Sequence, residues 1–374
     1  MEVRGCGLYD PGCTDLSSIP RITSCPALIR PVRSLPDPPA TLRVGIVGAG
    51  RIGALHADLL AREAPGAAVS VVFDPLTERA DGLAGRVGAR LARSAEELIA
   101  SDVVDAIGIC ASTDTHVRLI ELAAQAGKPV FCEKPLSLDL ADIDRLEALT
   151  EAHGVPLQVG FNRRFDPSHR SVWRAVREGA VGEPHLIRIT SRDPEPPPIE
   201  YSRVSGGLFL DMTSHDFDMA RFVAGSEVTE VFARGAARVD PAIAEHGDVD
   251  TAVSALSHEN GCMTLIDNSR RASYGYDQRV EVFGSEGMAR SDNHPLHSGE
   301  VLTGSGRAEP VLRPFFLDRY RESYRLGWES FIAAVAGSGR VAVGAEDARR
   351  ALMIGIAATE SMRSGAAVRV GTAG

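Results

Sequence analysis

Cysteine is scarce in this chain: six in 374 residues, with no Cys-x-x-Cys pair and no His-Glu-x-x-His. A disulfide-built scaffold is thereby excluded, no metal site is expected, and the thiols suit a reducing, cytoplasmic setting. Basic charge is also short. Forty Lys and Arg stand against 50 Asp and Glu, a formal net charge of -10, where a nucleic-acid footprint needs clustered cations to displace counterions from phosphates. Long hydrophobic runs are missing too. Runs such as 69–73 fall far short of the ~20 residues of a membrane span, and no apolar core of about 7–15 residues marks a signal peptide. Neither nucleic acid nor membrane is therefore an expected partner.

What remains is an ordinary globular composition, 44% hydrophobic and 24% charged, long enough for two domains at about 150 residues each. Residues 1–40 stand apart, with seven of the 22 prolines, three of the cysteines and no sustained period. They read as a disordered extension. The rest divides into a nucleotide-binding domain over 41–161 and a second domain over 162–370.

The first domain announces itself at residue 42. An apolar strand, 44–47, runs into Gly48-Ala49-Gly50-Arg51-Ile52-Gly53 and then a helical stretch, 54–62. In such a strand–turn–helix the first glycine makes the tight turn, the second lets the backbone approach a pyrophosphate, and the third permits close helix–strand packing. Arg51 and Ile52, inside the turn, are counted with the glycines as cofactor-binding, and the helix that follows would offer phosphate its unpaired N–H groups and dipole. A second strand, 69–73, ends in Asp74, 21 residues after Gly53, the expected distance for a carboxylate that takes the adenosine ribose hydroxyls. It would repel a 2′-phosphate, so NAD is expected over NADP; the plainer alternative is that Asp74 caps a helix. Strands at 106–110 and 129–132, with a helix at 115–126 between them, complete the pattern of an α/β, doubly wound Rossmann sheet that binds ligands at its strands' carboxyl ends. Ser112 and Glu133-Lys134-Pro135 occupy such ends.

Two places could carry chemistry. Lys134 is set to reach a substrate hydroxyl, or simply to pair with Glu133. Asp211 and His215, four apart, would share one face of a helix, with Asp218 close to it. Carboxylates beside an imidazole favour its charged form and orient it, which suits a base that takes a proton from an alcohol; a structural Asp–His pair is the alternative.

At these residues the chain resembles the Gfo/Idh/MocA oxidoreductase family, over residues 42–370. The likeness rests on the glycine turn, His56 just after it, Glu133-Lys134-Pro135 and the Asp211-to-His215 segment. Longer blocks at 160–167, 210–222 and 274–285 are most similar to the inositol 2-dehydrogenases within it. The resemblance implies that Lys134, Asp211 and His215 are the catalytic set. It also implies a C-terminal α/β domain with an open, largely antiparallel sheet that makes subunit contacts, commonly in a homotetramer. Strand-like runs at 228–233, 251–256, 262–266 and 279–283 agree with such a sheet. The first forty residues have no counterpart, and Ser214 stands where close relatives are usually apolar.

The expected reaction is NAD-dependent oxidation of a ring hydroxyl of myo-inositol. Gly48, Gly50, Gly53 and Asp74 would bind the cofactor, with Ser112 and Glu133 at its nicotinamide half. His215 would take the hydroxyl proton, and Asn162, Arg163 and Tyr276 would hold other hydroxyls of a polyol. Scyllo-inositol or a pyranose sugar is the alternative substrate, and a non-catalytic sensor the distant rival. Helical periods at 315–336 and 345–362 read as two structural helices against the sheets.

Overall fold

The structure, a computed structural model, describes residues 41–371. The extension expected over 1–40 lies outside the described residues. Two sheets organise the rest.

The first sheet has six parallel strands: β1 (Leu42–Val47), β2 (Ala67–Phe73), β3 (Arg90–Leu91), β4 (Ala106–Ile109), β5 (Val130–Cys132) and β6 (Leu157–Val159), in the order β3-β2-β1-β4-β5-β6. Two of its inner strands, β4 and β5, are short unbroken apolar runs buried at every position, because helices cover both of their faces. The strand order reverses between β1 and β4, which opens a crevice at their carboxyl ends. This is the doubly wound α/β domain that the strand pattern predicts.

The second sheet is mixed and mostly antiparallel. It comprises β7 (Pro184–Arg192), β8 (Val228–Ala236), β9 (Thr251–His258), β10 (Met263–Ser269), β11 (Asp277–Gly284) and β12 (Met288–Ser291). A separate small hairpin, β13 (Val301–Thr303) with β14 (Gly306–Ala308), precedes the last strand, β15 (Val368–Arg369). The order is β12-β11-β7-β10-β9-β8-β15, and only β7 and β10 run parallel. Strict alternation of buried and exposed residues along β9 shows one face covered and one open. Val172, Phe217, Val223, Ala357 and Ala358, from the helices Pro167–Arg177, Ser214–Ala224 and Ala345–Ser364, join the core beneath the covered face. No helix among the described residues is long and apolar enough to cross a membrane.

Two features depart from the sequence pattern. The single helix expected at 315–336 is two, Phe316–Arg319 and Arg321–Val335, parted at Tyr320, where Arg319 turns inward onto Asp166. The longer piece does not serve the second sheet. Its Trp328 and Phe331 lie in a core against the first sheet with Val44, Ile46 and Phe131. The chain therefore crosses back to the first sheet after building most of the second.

Candidate active site

The glycine turn has the form its sequence requires. Gly48 has φ +99°, and a Cβ there would stand 2.5 Å from the Cys110 carbonyl oxygen; a Cβ on Gly53 would stand 1.9 Å from the Gly48 carbonyl oxygen. Gly50 has open space around it and heads the helix Arg51–Arg62 with no side-chain cap, so the first-turn N–H groups are left for an anion. Asp74, at the end of β2, accepts from Ala49 N (2.7 Å) and Leu76 N (2.8 Å). Its carboxylate is thereby fixed against the turn. Arg51 lies over the Phe315 ring, Ile52 packs beside Leu55 and Leu59, and Ser112 heads the helix Thr113–Gln125 without using its hydroxyl as a cap. A dinucleotide fits this arrangement: bare backbone where a pyrophosphate approaches, an uncapped helix start, and a fixed carboxylate one strand away.

Lys134 follows β5 at the adjoining strand end, and its Nζ donates to the backbone carbonyl oxygen of Asp211 (2.7 Å) and to its Oδ1 (3.2 Å). Asp211 Oδ1 also accepts from the Tyr201 hydroxyl (2.9 Å), and Oδ2 faces both terminal nitrogens of Arg270 (3.3 Å). Burial pushes the Asp211 carboxyl up, yet Lys134, Arg270 and the Tyr201 hydroxyl outweigh it and hold it below the usual carboxylate range. Asp211 is an anion ringed by donors.

The expectation of one helix carrying Asp211 and His215 on a shared face is corrected here. The segment breaks at Met212–Thr213, between the helices Gly207–Asp211 and Ser214–Ala224. Thr213 N reaches back five residues to Leu208 O (2.9 Å), and its hydroxyl bonds Leu208 O and Asn268 Oδ1. His215 N then turns to Met212 O, at 3.4 Å. The register slip frees the Asp211 carbonyl, which a regular helix would give to His215 N, for Lys134 and the Ser214 hydroxyl. Asp218 is also elsewhere than expected: its carboxylate pairs with Arg164, which also reaches Asp347.

No carboxylate charges His215, contrary to the sequence expectation. Burial, with Lys134 and Arg163 nearby, pushes its imidazole well below its ordinary pKa, so the ring is neutral. Its Nδ1 is buried without a partner, and Phe161 meets the ring edge-on at 5.7 Å. Asn162, just after β6, has a buried Nδ2 with no hydrogen-bond partner. Arg163 is committed to a buried pair with Asp216 and to Ser191 Oγ (3.0 Å). Tyr276 is buried against Tyr320. Burial, the Tyr320 ring and the Asp193 and Asp216 carboxylates keep its phenol protonated, while Arg163 opposes them.

Sequence reasoning missed Asp193, Arg270 and Tyr201. Burial pushes the Asp193 carboxyl up to about 6, against the pull of Arg270 and Arg163 and with the push of Asp211 and Asp216. The Asp193 carboxylate makes no hydrogen bond among the described residues. It follows β7 in a proline-rich stretch that carries no spacing signal; pairing β7 with β10 and β11 is what brings it to the site. An orphaned amide donor, a carboxyl without a partner and a neutral imidazole beside a lysine are the donors and acceptors that a compact polyhydroxylated ligand would engage.

Comparison with known proteins bears on this geometry. The family profile described as an oxidoreductase family with an NAD-binding Rossmann fold matches residues 42–161, and that of the GFO/IDH/MocA C-terminal domain matches 169–290. The chain is 46% identical over 330 residues to the myo-inositol 2-dehydrogenase of Thermotoga maritima, covering 88% of this chain and 98% of that one. It is 43% identical over 322 residues to the inositol 2-dehydrogenase of Rhizobium meliloti, covering 86% and 97%. The crystal structure of a probable dehydrogenase from Thermotoga maritima superposes with a TM-score of 0.86 at 46% identity, over 88% of this chain and 99% of that one.

Proposed function

The chain belongs to the GFO/IDH/MocA oxidoreductase family, and from that membership we propose that it oxidises myo-inositol to its 2-ketone with NAD. The observation that carries this reading is the meeting of Lys134, Asp211 and an uncharged His215 beside the crevice of a nucleotide sheet. NAD, when bound, accepts a hydride from the ring carbon. The remaining work falls to side chains of this protein.

Gly48, Gly50, Arg51 and Ile52 present backbone to the pyrophosphate, Gly53 lets the helix lie close enough to do so, and Asp74 takes the ribose hydroxyls while disfavouring a 2′-phosphate. Ser112 and Glu133 face the nicotinamide half. His215, kept neutral by its surroundings, accepts the proton of the reacting hydroxyl, whose oxygen becomes the ketone oxygen. Lys134, anchored on Asp211, donates to the reacting oxygen and steadies negative charge there. Asn162, Asp193 and Tyr276 meet other ring hydroxyls, since each polyol oxygen left unmatched in such a site costs about 1–3 kcal/mol. Arg163, bound to Asp216 and Ser191, acts by holding that wall in place.

The same reading includes a homotetramer in the cytoplasm. Phe232, Val253, Met263, Leu265, Phe283 and Met288 all project from the open face of the second sheet and are more than a third exposed, an apolar surface suited to another subunit. Cys110, Cys132 and Cys262 are free thiols, as a reducing compartment favours.

Initial rates of NADH formation with myo-inositol, scyllo-inositol and D-glucose, repeated with NADP, test the proposal. Fastest turnover of myo-inositol with NAD is expected. Preference for either other substrate overturns the substrate assignment, and no turnover of any overturns the activity.

A further inference from the structure

His56 does no chemistry in the mechanism above, yet it is completely buried, 0% exposed, in the first helix after the glycine turn. Its two nitrogens are both engaged. Trp328 Nε1 lies 2.8 Å from His56 Nδ1. An indole N–H can only donate, so Nδ1 is the acceptor and the imidazole proton sits on Nε2. That Nε2 lies 2.7 Å from Glu133 Oε1 and donates to it. The ring cannot readily turn out of this line, because Phe131, Tyr324 and Trp328 meet it edge-on at 5.3–5.7 Å.

The Glu133 carboxylate is confined from a second side. A Cβ at Gly160 would stand 2.8 Å from Glu133 Oε2, so the carboxylate lies across bare backbone there. No other hydrogen bond reaches it among the described residues. One oxygen is anchored and the other is unengaged, at the carboxyl end of β5 and next in the chain to Lys134.

We propose that His56 is a positioning residue for the nicotinamide half of the cofactor: Trp328 sets its tautomer, and its Nε2–H holds Glu133 so that the free carboxylate oxygen meets the cofactor. The helix that returns from the second domain thus completes the cofactor site through Trp328. The proposal rests on the NAD reading above and deepens it.

A double-mutant cycle on NADH affinity, read by fluorescence titration, tests it. His56→Leu is expected to weaken NADH about tenfold, the scale of one hydrogen bond to a charged group, and to add little to Glu133→Ala. His56→Gln, whose amide can still donate to Glu133, is expected to bind within about twofold of the unsubstituted protein. A packing role for His56 predicts additive losses instead. Additivity in the cycle overturns the proposal, as does unchanged affinity in His56→Leu. If His56→Leu does not fold, Trp328→Phe removes the tautomer-setting donor while nearly filling its space; about threefold weaker NADH is then expected, and no change contradicts the proposal. Failure of the unsubstituted protein to bind NADH is a separate outcome, and overturns the cofactor reading itself.

Discussion

The ammonium of Lys134 sits 2.7 Å from the backbone carbonyl oxygen of Asp211, which the register slip at Met212–Thr213 leaves without its helical donor. A regular helix would have spent that carbonyl on His215 N. The slip frees an acceptor that fixes Lys134, while the Asp211 carboxylate is taken up by Lys134, Tyr201 and Arg270 and makes no hydrogen bond to His215. The result is a held cation beside a neutral base.

Lys134→Ala is expected to lower kcat by about 10²–10⁴, the range of a positioned proton-handling group. NADH affinity should stay within about threefold, because the lysine acts on the reacting oxygen and makes no contribution to uniform binding. Steady-state kinetics beside an NADH titration check this. A variant that loses cofactor binding in step with turnover contradicts the assignment.

The His215 ring is held down by burial first, then by the Lys134 and Arg163 cations. Removing one cation must raise its pKa, since the charged imidazole is then less opposed. In Lys134→Met, which retains much of the side-chain length, an NMR titration of the His215 ring is expected to move upward. A downward shift, or none, would mean that the two groups do not share a field.

Gly50 and Gly53 make opposite predictions for the same substitution. Gly53→Ala places a methyl 1.9 Å from a backbone oxygen and is expected to lower thermal stability markedly. Gly50 has open space and φ -69°, so Gly50→Ala should fold as well as the unsubstituted protein yet bind NAD about tenfold or more weakly, by crowding the pyrophosphate. Differential scanning calorimetry with a binding titration separates the two. Equal effects on stability would contradict the geometry.

His169 sets an acid limit on stability. Burial, aided by Arg319 and Arg163 and opposed by Asp166, pushes it down to about 3 from an ordinary 6.5. The unfolded chain therefore binds a proton that the folded chain refuses, and the stability held above pH 6.5 is lost as pH falls from 6.5 towards 3. Asp166, down at about 2 from 3.8, acts only lower, losing its contribution as pH falls from 3.8 towards 2. Urea unfolding between pH 7 and pH 4 is expected to show a smaller loss in His169→Gln than in the unsubstituted protein. An unchanged slope would place the acid sensitivity elsewhere.

How legible these features were in the sequence depended on the range of the interactions behind them. The parallel sheet and glycine turn could be read because unbroken apolar strands, a turn needing positive φ at Gly48 and a carboxylate at a set distance are all local signals. The helix around Asp211 and His215 could be placed but not its slip, which depends on Thr213 bonding Asn268 on a strand 55 residues away. Asp193 and Arg270 became site residues only when β7 took its place between β10 and β11. The periodicity of 321–335 showed a helix without showing which sheet it would cover; Trp328 settles that through its hydrogen bond to His56, 272 residues earlier.

The central claim is hydride removal from the ring carbon while His215 takes the hydroxyl proton. Myo-inositol deuterated at carbon 2, turned over with NAD and followed by mass spectrometry of the reduced cofactor, tests it most directly. The account predicts one deuterium in every NADH formed, and no product from His215→Ala above the level of Lys134→Ala. Unlabelled NADH, or undiminished turnover in the His215 variant, would contradict it.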